Sequence, residues 1–215
     1  MKVVELKNKL RSGKRSFRSA NLRGADLNGF DLSWVDLSKV NLTNADLRNA
    51  DLSWAYLREA TLEGANLSGA KLNGSVLVLA NLRRANLSDV EVNGYTSRWY
   101  RVNLQNACLN NAKLRYVDLS SANLKDADLK DALFVGVTLR HARLNDANLT
   151  KTALIDSNLR KVHLSGANLY QADLRGSTFY RAKLNKIEMN KTILPDGSLA
   201  NSVAGLEPFL SLVTS

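Results

Sequence analysis

One five-residue phrase recurs along most of the chain and restricts its fold more than any other feature of the sequence. Its leucine position returns every five residues from Phe17 to Val92, and again in the same step from Trp99 to Leu194. Leucine occupies 30 of these 36 positions. A small residue, most often alanine, stands two places earlier, and Asn or Asp often stands between the two. Internal repeats of this kind define an architecture before any single motif is considered.

The five-residue period predicts short extended segments joined by corners. It fits neither the helical period of 3.6 residues nor simple strand alternation. The small residue and the leucine are two apart, so in extended chain they point to the same side. The last two places are rich in turn-forming residues. With square corners, four phrases close one coil, and the next twenty residues stack on it ~4.8 Å further along. Parallel crossovers are right-handed in most proteins. The sequence therefore predicts an all-β solenoid, a right-handed quadrilateral parallel β-helix of about nine coils, roughly 43 Å long.

The phrases themselves carry a resemblance to a known family. Ala20-Asn21-Leu22-Arg23-Gly24 and Ala65-Asn66-Leu67-Ser68-Gly69 are two examples. Over residues 15–194 the chain resembles the pentapeptide-repeat family, which implies a right-handed quadrilateral β-helix. Its Gly-Lys-Arg sequence at 13–15 and Leu-Pro-Asp-Gly sequence at 194–197 are similar to those of cyanobacterial members.

The two ends lie outside the repeat. In residues 1–14, Val3, Leu6 and Leu10 fall on one helical stripe, and Gly13 suits the C′ position. They predict a short amphipathic helix that caps the first coil, with a membrane-surface helix as the alternative. Residues 195–215 begin with a Pro-Asp-Gly turn and then become apolar. They are expected to fold back over the last coil or, as the competing hypothesis, to pair with a second chain.

A two-residue insertion near 93–96 interrupts the repeat, since the step from Val92 to Trp99 is seven residues. The segment 95–101 is the most aromatic and basic part of the chain. One interpretation is a corner loop in which Trp99 replaces a core leucine. The other is a protruding contact loop, since loops on rigid scaffolds often carry recognition. The sequence leaves both open.

Composition limits the classes of function. At 215 residues and 45% hydrophobic, the chain can bury a large core in one cooperative solenoid. Cys108 is the only cysteine, so no disulfide or multi-cysteine metal site can form within one chain, and its place in the phrase predicts exposure. The absence of a signal-like or spanning apolar run favours a soluble cytoplasmic protein.

The net charge of +10 is unevenly distributed. We define face 1 as the face of every fourth phrase through Phe17, Leu37 and Leu57. Its outward positions carry nine basic and three acidic residues, a net of +6, and the next face carries +4. Such a surface could attract phosphates or an acidic protein. The candidates on the basic face are Arg98, Arg101, Arg140, Arg160, Lys161 and Arg181.

A second candidate surface is apolar. Trp34 and Trp54 are twenty residues apart and so occupy the same corner of successive coils. Nearby outward positions hold large apolar groups where the repeat elsewhere has polar ones. A contiguous exposed apolar patch favours a protein interface. The candidates are Trp34, Trp54, Tyr56, Val76, Val78, Leu79, Tyr95 and Tyr100.

These features argue against an enzyme. A prism filled by side chains leaves no cleft, and His141 and His163 fall on different faces without a metal-ligand partner. No catalytic, cofactor-binding or metal-binding residues are predicted, and no cofactor. The leading hypothesis is a scaffold that binds another protein, and the resemblance to cyanobacterial members implies a regulatory adaptor. The alternatives are a topoisomerase-binding DNA mimic of the quinolone-resistance type, which the positive charge opposes, and direct nucleic-acid binding through the basic faces.

Overall fold

Parallel pairing in twenty-residue steps organises the chain. The computed structural model describes residues 1–94 and 96–211. On face 1 the ladder starts with Ser16 paired to Asp36 and continues in parallel register to Thr178. Three further ladders start at Asn21, Asp26 and Asp31. Each residue therefore lies directly above the residue of the same phrase position one coil earlier.

The ladders are narrow, and only a few segments are long enough to be strands. Four of them form one parallel sheet in the order β1 (Glu91–Asn93), β2 (Lys113–Arg115), β3 (Leu133–Val135) and β4 (Ala153–Ile155). In each strand the middle residue is buried. The strands are this short because a corner follows within two residues of every leucine position.

The core is a column of stacked leucines closed by small residues. The leucine positions from Leu22 to Leu174 are almost completely buried. Trp99 is 0% exposed and replaces a leucine, which confirms its predicted place in the core. Its indole Nε1 donates a hydrogen bond to Ser75 Oγ at 3.1 Å, so the buried N–H has a partner. Each buried leucine contributes ~1.5–3 kcal/mol of transfer free energy, offset by the entropy of ordering the chain.

Each corner is a turn whose third residue has a positive φ. After Leu22, for example, the Ala25 N–H donates to the Leu22 carbonyl at 3.0 Å, and Gly24 has φ 63°. Glycine takes this conformation without steric cost. The structure extends it to bulky residues, including Trp34 at φ 60° and Leu79 at φ 59°. Non-glycine residues rarely adopt it, so the register of the coils, and not the corner residue, enforces the turn.

The Asn and Asp residues of the phrase have a structural role that the sequence did not reveal. The Oδ1 atom of Asn41 accepts the backbone N–H of Thr43 at 3.0 Å, and Asp51 does the same for Ser53 at 2.9 Å. This bond supplies a partner for an N–H that enters the corner. The Asp residues that directly precede the leucine position are therefore engaged in turns.

The insertion lies at a corner and leaves the ladders continuous. Val76 pairs with Arg98, a step of twenty-two residues, after which the twenty-residue step resumes. The extra residues are tied to the preceding coil, because Asn73 Oδ1 accepts the Asn93 N–H at 2.7 Å and Ser97 Oγ accepts the Gly74 N–H at 3.0 Å. The face assignments made from the sequence therefore hold on both sides of the insertion.

The predicted N-terminal helix is α1, Val3–Arg11. Leu6 is fully buried in the common core. Gly13, at φ 85°, occupies the predicted C′ position, where its N–H donates to Leu10 and the Lys14 N–H donates to Lys9. These two bonds define a Schellman motif. Within residues 1–94 and 96–211, no helix has the length and apolar character needed to cross a membrane.

At the C-terminal end the chain reverses. A turn at Pro195 and Asp196 joins β5 (Thr192–Ile193) to β6 (Leu199–Ala200), which pair antiparallel. A 3₁₀-helix at Val203–Leu206 and α2 at Glu207–Ser211 follow. Leu206 is fully buried, and the Arg181 N–H donates to the Leu210 carbonyl at 2.9 Å. Within this chain, the apolar segment up to Ser211 therefore packs back onto the solenoid.

Replacing Gly74 by alanine tests how the corner column packs. A Cβ at Gly74 would lie 2.5 Å from Cε3 of the Trp54 ring, whereas a Cβ at Gly24 meets nothing within 4 Å. Both glycines have nearly the same φ, 66° and 63°. We expect Gly24→Ala to cost about 1 kcal/mol through its left-handed backbone. Gly74→Ala should cost about 1–3 kcal/mol more, because the indole must move. Urea unfolding of both variants measures the difference, and equal losses would contradict the packing described here.

Candidate binding surfaces

The exposed tryptophans form one rigid aromatic unit. The rings of Trp34 and Trp54 are stacked with centroids 5.0 Å apart and planes inclined by 8°. Their backbones occupy the same corner of successive coils, and the backbone of Gly74 lies under the ring of Trp54 in the next one. Trp34 remains 61% exposed and Trp54 39% exposed. The stack is thus ordered on one side and open to solvent on the other.

Apolar residues continue from this stack across the whole width of face 1. Tyr56 pairs with Val76 in the ladder, and Leu79 lies at the opposite corner of the same face. Tyr56 is 51% exposed and Leu79 is 42% exposed, while Val76 and Tyr100 are half-buried. Tyr95, also predicted here, lies outside the described residues. We call the surface the apolar strip; it consists of Trp34, Trp54, Tyr56, Val76, Leu79 and Tyr100.

Val78 was predicted to belong to this surface, and that prediction was wrong. Only 3% of Val78 is exposed. In its column it lies between the longer side chains of Arg58 and Tyr100, on the coils before and after it. A short side chain in such a column is covered by its neighbours, as Ser38 also is at 5% exposure. Val78 supports the strip from beneath and is not accessible to a partner.

Two depressions flank Trp34. One, of about 520 Å³, lies towards Tyr56 and Arg18, and the other, of about 300 Å³, lies towards Leu10 of helix α1. Asp36 lines the first depression. Burial alone would raise the pKa of Asp36, but hydrogen bonds from Ser38 and the contact with Arg18 outweigh it and lower that pKa. The depression therefore holds an ionised carboxylate, paired with Arg18, beside an exposed aromatic ring.

The structure divides the basic residues of face 1 into two groups. Towards the N-terminal end Arg18 pairs with Asp36, and both Lys39 and Arg58 reach Glu59. Among the described residues, the six candidates named from the sequence have no carboxylate within ion-pair distance. Arg98 and Arg101 lie on the coil that carries Tyr100, at the edge of the apolar strip. The other four are Arg140, Arg160, Lys161 and Arg181.

These four residues lie at one corner of the solenoid together with further basic residues. The charge count had assigned the further residues to the next face. Segments 140–143, 160–163 and 180–183 turn the corner between face 1 and the next face on three consecutive coils. The ladder of the next face places Arg143, His163 and Lys183 in one column. We call this surface the basic ridge; it consists of Arg140, His141, Arg143, Arg160, Lys161, His163, Arg181 and Lys183. In the sequence, the ridge could have been found as an Arg-, Lys- and His-rich segment that recurs every twenty residues.

The two histidines lie on different faces, as expected, but they are near enough for the charge of His141 to act on His163. Burial lowers the pKa of His163, and the charges of Lys183, Arg143 and His141 lower it further. At neutral pH His163 is therefore uncharged among cations. Among the described residues no cluster of His, Cys, Asp and Glu could hold a metal ion.

Cys108 is less exposed than its place in the phrase predicted. It is half-buried, and its Sγ lies 3.1 Å from Ser88 Oγ on the preceding coil. The residues of one column cover each other, so an outward position does not guarantee solvent exposure.

The fold defines a class, the parallel β-solenoid with a five-residue phrase. The family model described as Pentapeptide repeats matches in 8 copies, over residues 16–53, 50–89, 100–134, 112–150, 132–169 and 157–194. The chain therefore belongs to the pentapeptide-repeat family, whose members fold as right-handed quadrilateral β-helices. Among curated proteins, none shows significant sequence similarity to the chain.

Solved structures of the family resemble the chain to different degrees. HetL, a pentapeptide repeat protein involved in heterocyst differentiation regulation in the cyanobacterium Nostoc sp. strain PCC 7120, is 29% identical with a TM-score of 0.62. The match covers 93% of this chain and 100% of HetL. QnrB1, a plasmid-mediated fluoroquinolone resistance protein, is 15% identical with a TM-score of 0.33, over 92% of this chain and 100% of QnrB1.

Removing one cation of the ridge tests its electrostatics. We expect Lys183→Gln to raise the pKa of His163, because a repulsive charge is removed. Lys191→Gln, on the face opposite face 1, should leave that pKa unchanged. The imidazole protons report the titration by NMR, with His141→Gln to assign the two signals.

The same group makes folding stability depend on pH, because the folded pKa of His163 lies below the unfolded value of about 6.5. The unfolded chain therefore takes up the proton first, and folding stability should fall as pH drops through that window. An unchanged or lower pKa in Lys183→Gln would contradict this arrangement.

Proposed function

We propose that the chain is a non-enzymatic scaffold that binds another protein through the apolar strip. The observation that carries the proposal is the exposed, stacked pair Trp34 and Trp54. Tryptophan and tyrosine are the commonest anchors of protein interfaces, and most of the binding energy comes from a few such residues. A soluble chain that exposes several of them on one face has a surface suited to a partner.

Preorganisation supports the same proposal. Stacking, together with the ladder beneath it, holds the two indole rings in place before any partner arrives. Ordering one large side chain on binding otherwise costs about 0.5–1.5 kcal/mol. The strip therefore offers aromatic area with little loss of entropy. The depressions on either side of Trp34 give room for side chains of the partner, and Asp36 supplies a charged group at the rim.

The absence of an enzymatic role is part of the proposal. Pentapeptide-repeat proteins are generally non-enzymatic scaffolds. The interior of this chain is filled by leucine, so its depressions lie on the outside. A rigid prism with different chemistry in each surface column suits binding. We further propose about nine coils, with residues 1–14 as an N-terminal helical cap, 15–194 as the solenoid and 195–215 as a C-terminal cap or tail, in a cytoplasmic protein.

The likeness to HetL favours a regulatory adaptor. HetL is involved in the regulation of heterocyst differentiation, and the two chains are similar over almost their entire lengths. We propose that this chain likewise presents a fixed surface to a regulatory partner in a cyanobacterium-like cell. The partner remains to be identified by capture.

A capture experiment tests the apolar strip. Tagged protein is incubated with native extract, with and without nuclease, beside Trp34→Ser/Leu79→Ser. Tyr170→Ser/Leu199→Ser serves as the matched control, since those two residues are also exposed but lie away from the strip. We expect a protein captured despite nuclease, retained by the control and lost by the strip variant. The purified partner should then bind the strip variant at least tenfold more weakly in calorimetry, because anchor residues cost about 2 kcal/mol or more when truncated.

Two outcomes would contradict the proposal. One is capture that the strip variant retains at full strength, which would place the interface elsewhere. The other is loss of capture in both double variants although urea unfolding shows both to be as stable as the wild type, because the loss would then not be specific to the strip. Sedimentation of the wild type beside the strip variant separately tests whether the strip joins two copies of this chain.

A further inference from the structure

The basic ridge is a second surface with different chemistry from the apolar strip. It contains six side chains that are always charged at neutral pH, and no acidic residue lies among its phrase positions. Among the described residues, none of these six has an ion-pair partner. They are Arg140, Arg143, Arg160, Lys161, Arg181 and Lys183.

The positions of these charges form a regular array. Three coils contribute, about 4.8 Å apart, so the cations extend over roughly 10 Å along the solenoid. The array bends round one corner and is therefore convex. The nearest corners on either side carry Asp146 and Asp156, and Asp146 pairs with Lys125. Lys186 shares the corner of Asp146, so the positive surface is bounded by mixed charge on that flank and by Asp156 on the other.

Tyr180 holds part of the array in place. The guanidinium carbons of Arg160 and Arg181 each lie 5.0 Å from the centroid of its ring. Cation–π contacts of this kind orient arginine without neutralising it. Because the ring is occupied by two cations, it is not a free platform for base stacking. The ridge presents ordered positive charge and little else.

That composition favours phosphates over a folded protein surface. The centres of protein interfaces are depleted in charge and built on aromatic or aliphatic anchors, and the ridge has none that is free. Nucleic-acid interfaces are more polar and much more positive. Four of the six cations are arginines, whose planar guanidinium matches phosphate oxygens in bidentate fashion.

We propose that the basic ridge binds the phosphate backbone of a nucleic acid, without reading its sequence. This goes beyond the proposed scaffold function and does not depend on it. Arg98 and Arg101 lie on an earlier coil beside the apolar strip, separated from the ridge by a coil that carries Asp118, Ser120 and Ser121. The ridge and the strip are therefore distinct surfaces that share face 1.

A matched pair of variants tests the proposal. The ridge variant is Arg140→Gln/Arg143→Gln/Lys161→Gln/Lys183→Gln, which leaves the two arginines on Tyr180 in place. The control variant, Lys7→Gln/Lys130→Gln/Lys151→Gln/Lys191→Gln, removes the same charge from α1 and from the face opposite face 1. Binding is measured by fluorescence anisotropy in about 50 mM salt, with a labelled duplex DNA of about 20 base pairs and a labelled single-stranded RNA of about 20 nucleotides.

We expect the wild type and the control variant to bind both probes. The ridge variant should bind about 30-fold more weakly or worse, because each lost phosphate contact weakens binding and lowers its salt dependence. For duplex DNA, six phosphate contacts predict a slope of log K against log salt near about −5, and the ridge variant a slope near about −2. The two probes distinguish duplex from single-stranded targets, and retained DNA or RNA binding by Trp34→Ser/Leu79→Ser would separate this surface from the apolar strip.

Three results would overturn the proposal. In the first, neither nucleic acid binds the wild type. In the second, the ridge and control variants lose affinity equally, which would indicate that net charge alone is responsible. In the third, a polyglutamate peptide of matched charge binds the ridge as tightly as the nucleic acids, which would make an acidic protein segment the ligand. Urea unfolding of both variants verifies that any loss reflects the surface and not the fold.

Discussion

Backbone pairing between coils at a twenty-residue step is the constraint on which the rest of this molecule depends. Leucine N–H groups donate to the carbonyl of the residue that precedes the leucine of the next coil, at about 2.7–2.8 Å in most coils. The step brings each leucine onto the next and closes the core without a gap. Corners must then turn within two residues, and the chain accepts a positive φ even at Trp34 and Trp54. The pairing register between coils therefore outweighs the conformational preference of the individual corner residues.

The same register controls the surface. Because residues of one phrase position stack in columns, substitutions on successive coils accumulate into continuous strips. The stacked tryptophans and the column of Arg143, His163 and Lys183 are two results of this rule. Face 1 therefore carries an apolar strip towards the N-terminal end and borders a basic ridge towards the C-terminal end. A rigid prism keeps the two at a fixed separation, which is what an adaptor with two ligands requires.

The sequence predicted the fold well because period and burial coincide. The leucine period located the core, including Trp99, and the seven-residue step located the insertion. Helix α1 and its Gly13 terminus followed from ordinary capping chemistry. Each of these features depends on the chain near it in sequence or on the strict period, so no knowledge of side-chain conformation was needed.

The sequence predicted the surfaces less completely, because columns modify exposure and charge. Val78 reads as an outward position but is covered by longer neighbours. Arg18 and Arg140 look equivalent in a count by face, yet only Arg18 has a carboxylate within reach. The ridge was divided between two faces in that count, although its residues meet at one corner. Such relations depend on which side chain lies one coil above, at a distance of twenty residues.

Cross-linking across the insertion tests the register most directly. In a Cys108→Ser background, we expect Val76→Cys/Arg98→Cys to form a disulfide on mild oxidation. These residues are paired neighbours, and paired Cα atoms lie within the range of about 4.4–6.8 Å that a disulfide needs. Val76→Cys/Thr96→Cys, which keeps a twenty-residue step, should not cross-link. Mass spectrometry of the oxidised, digested proteins distinguishes the two. Efficient cross-linking of the second pair and not the first would contradict the continuous ladder, and with it the placement of both surfaces on face 1.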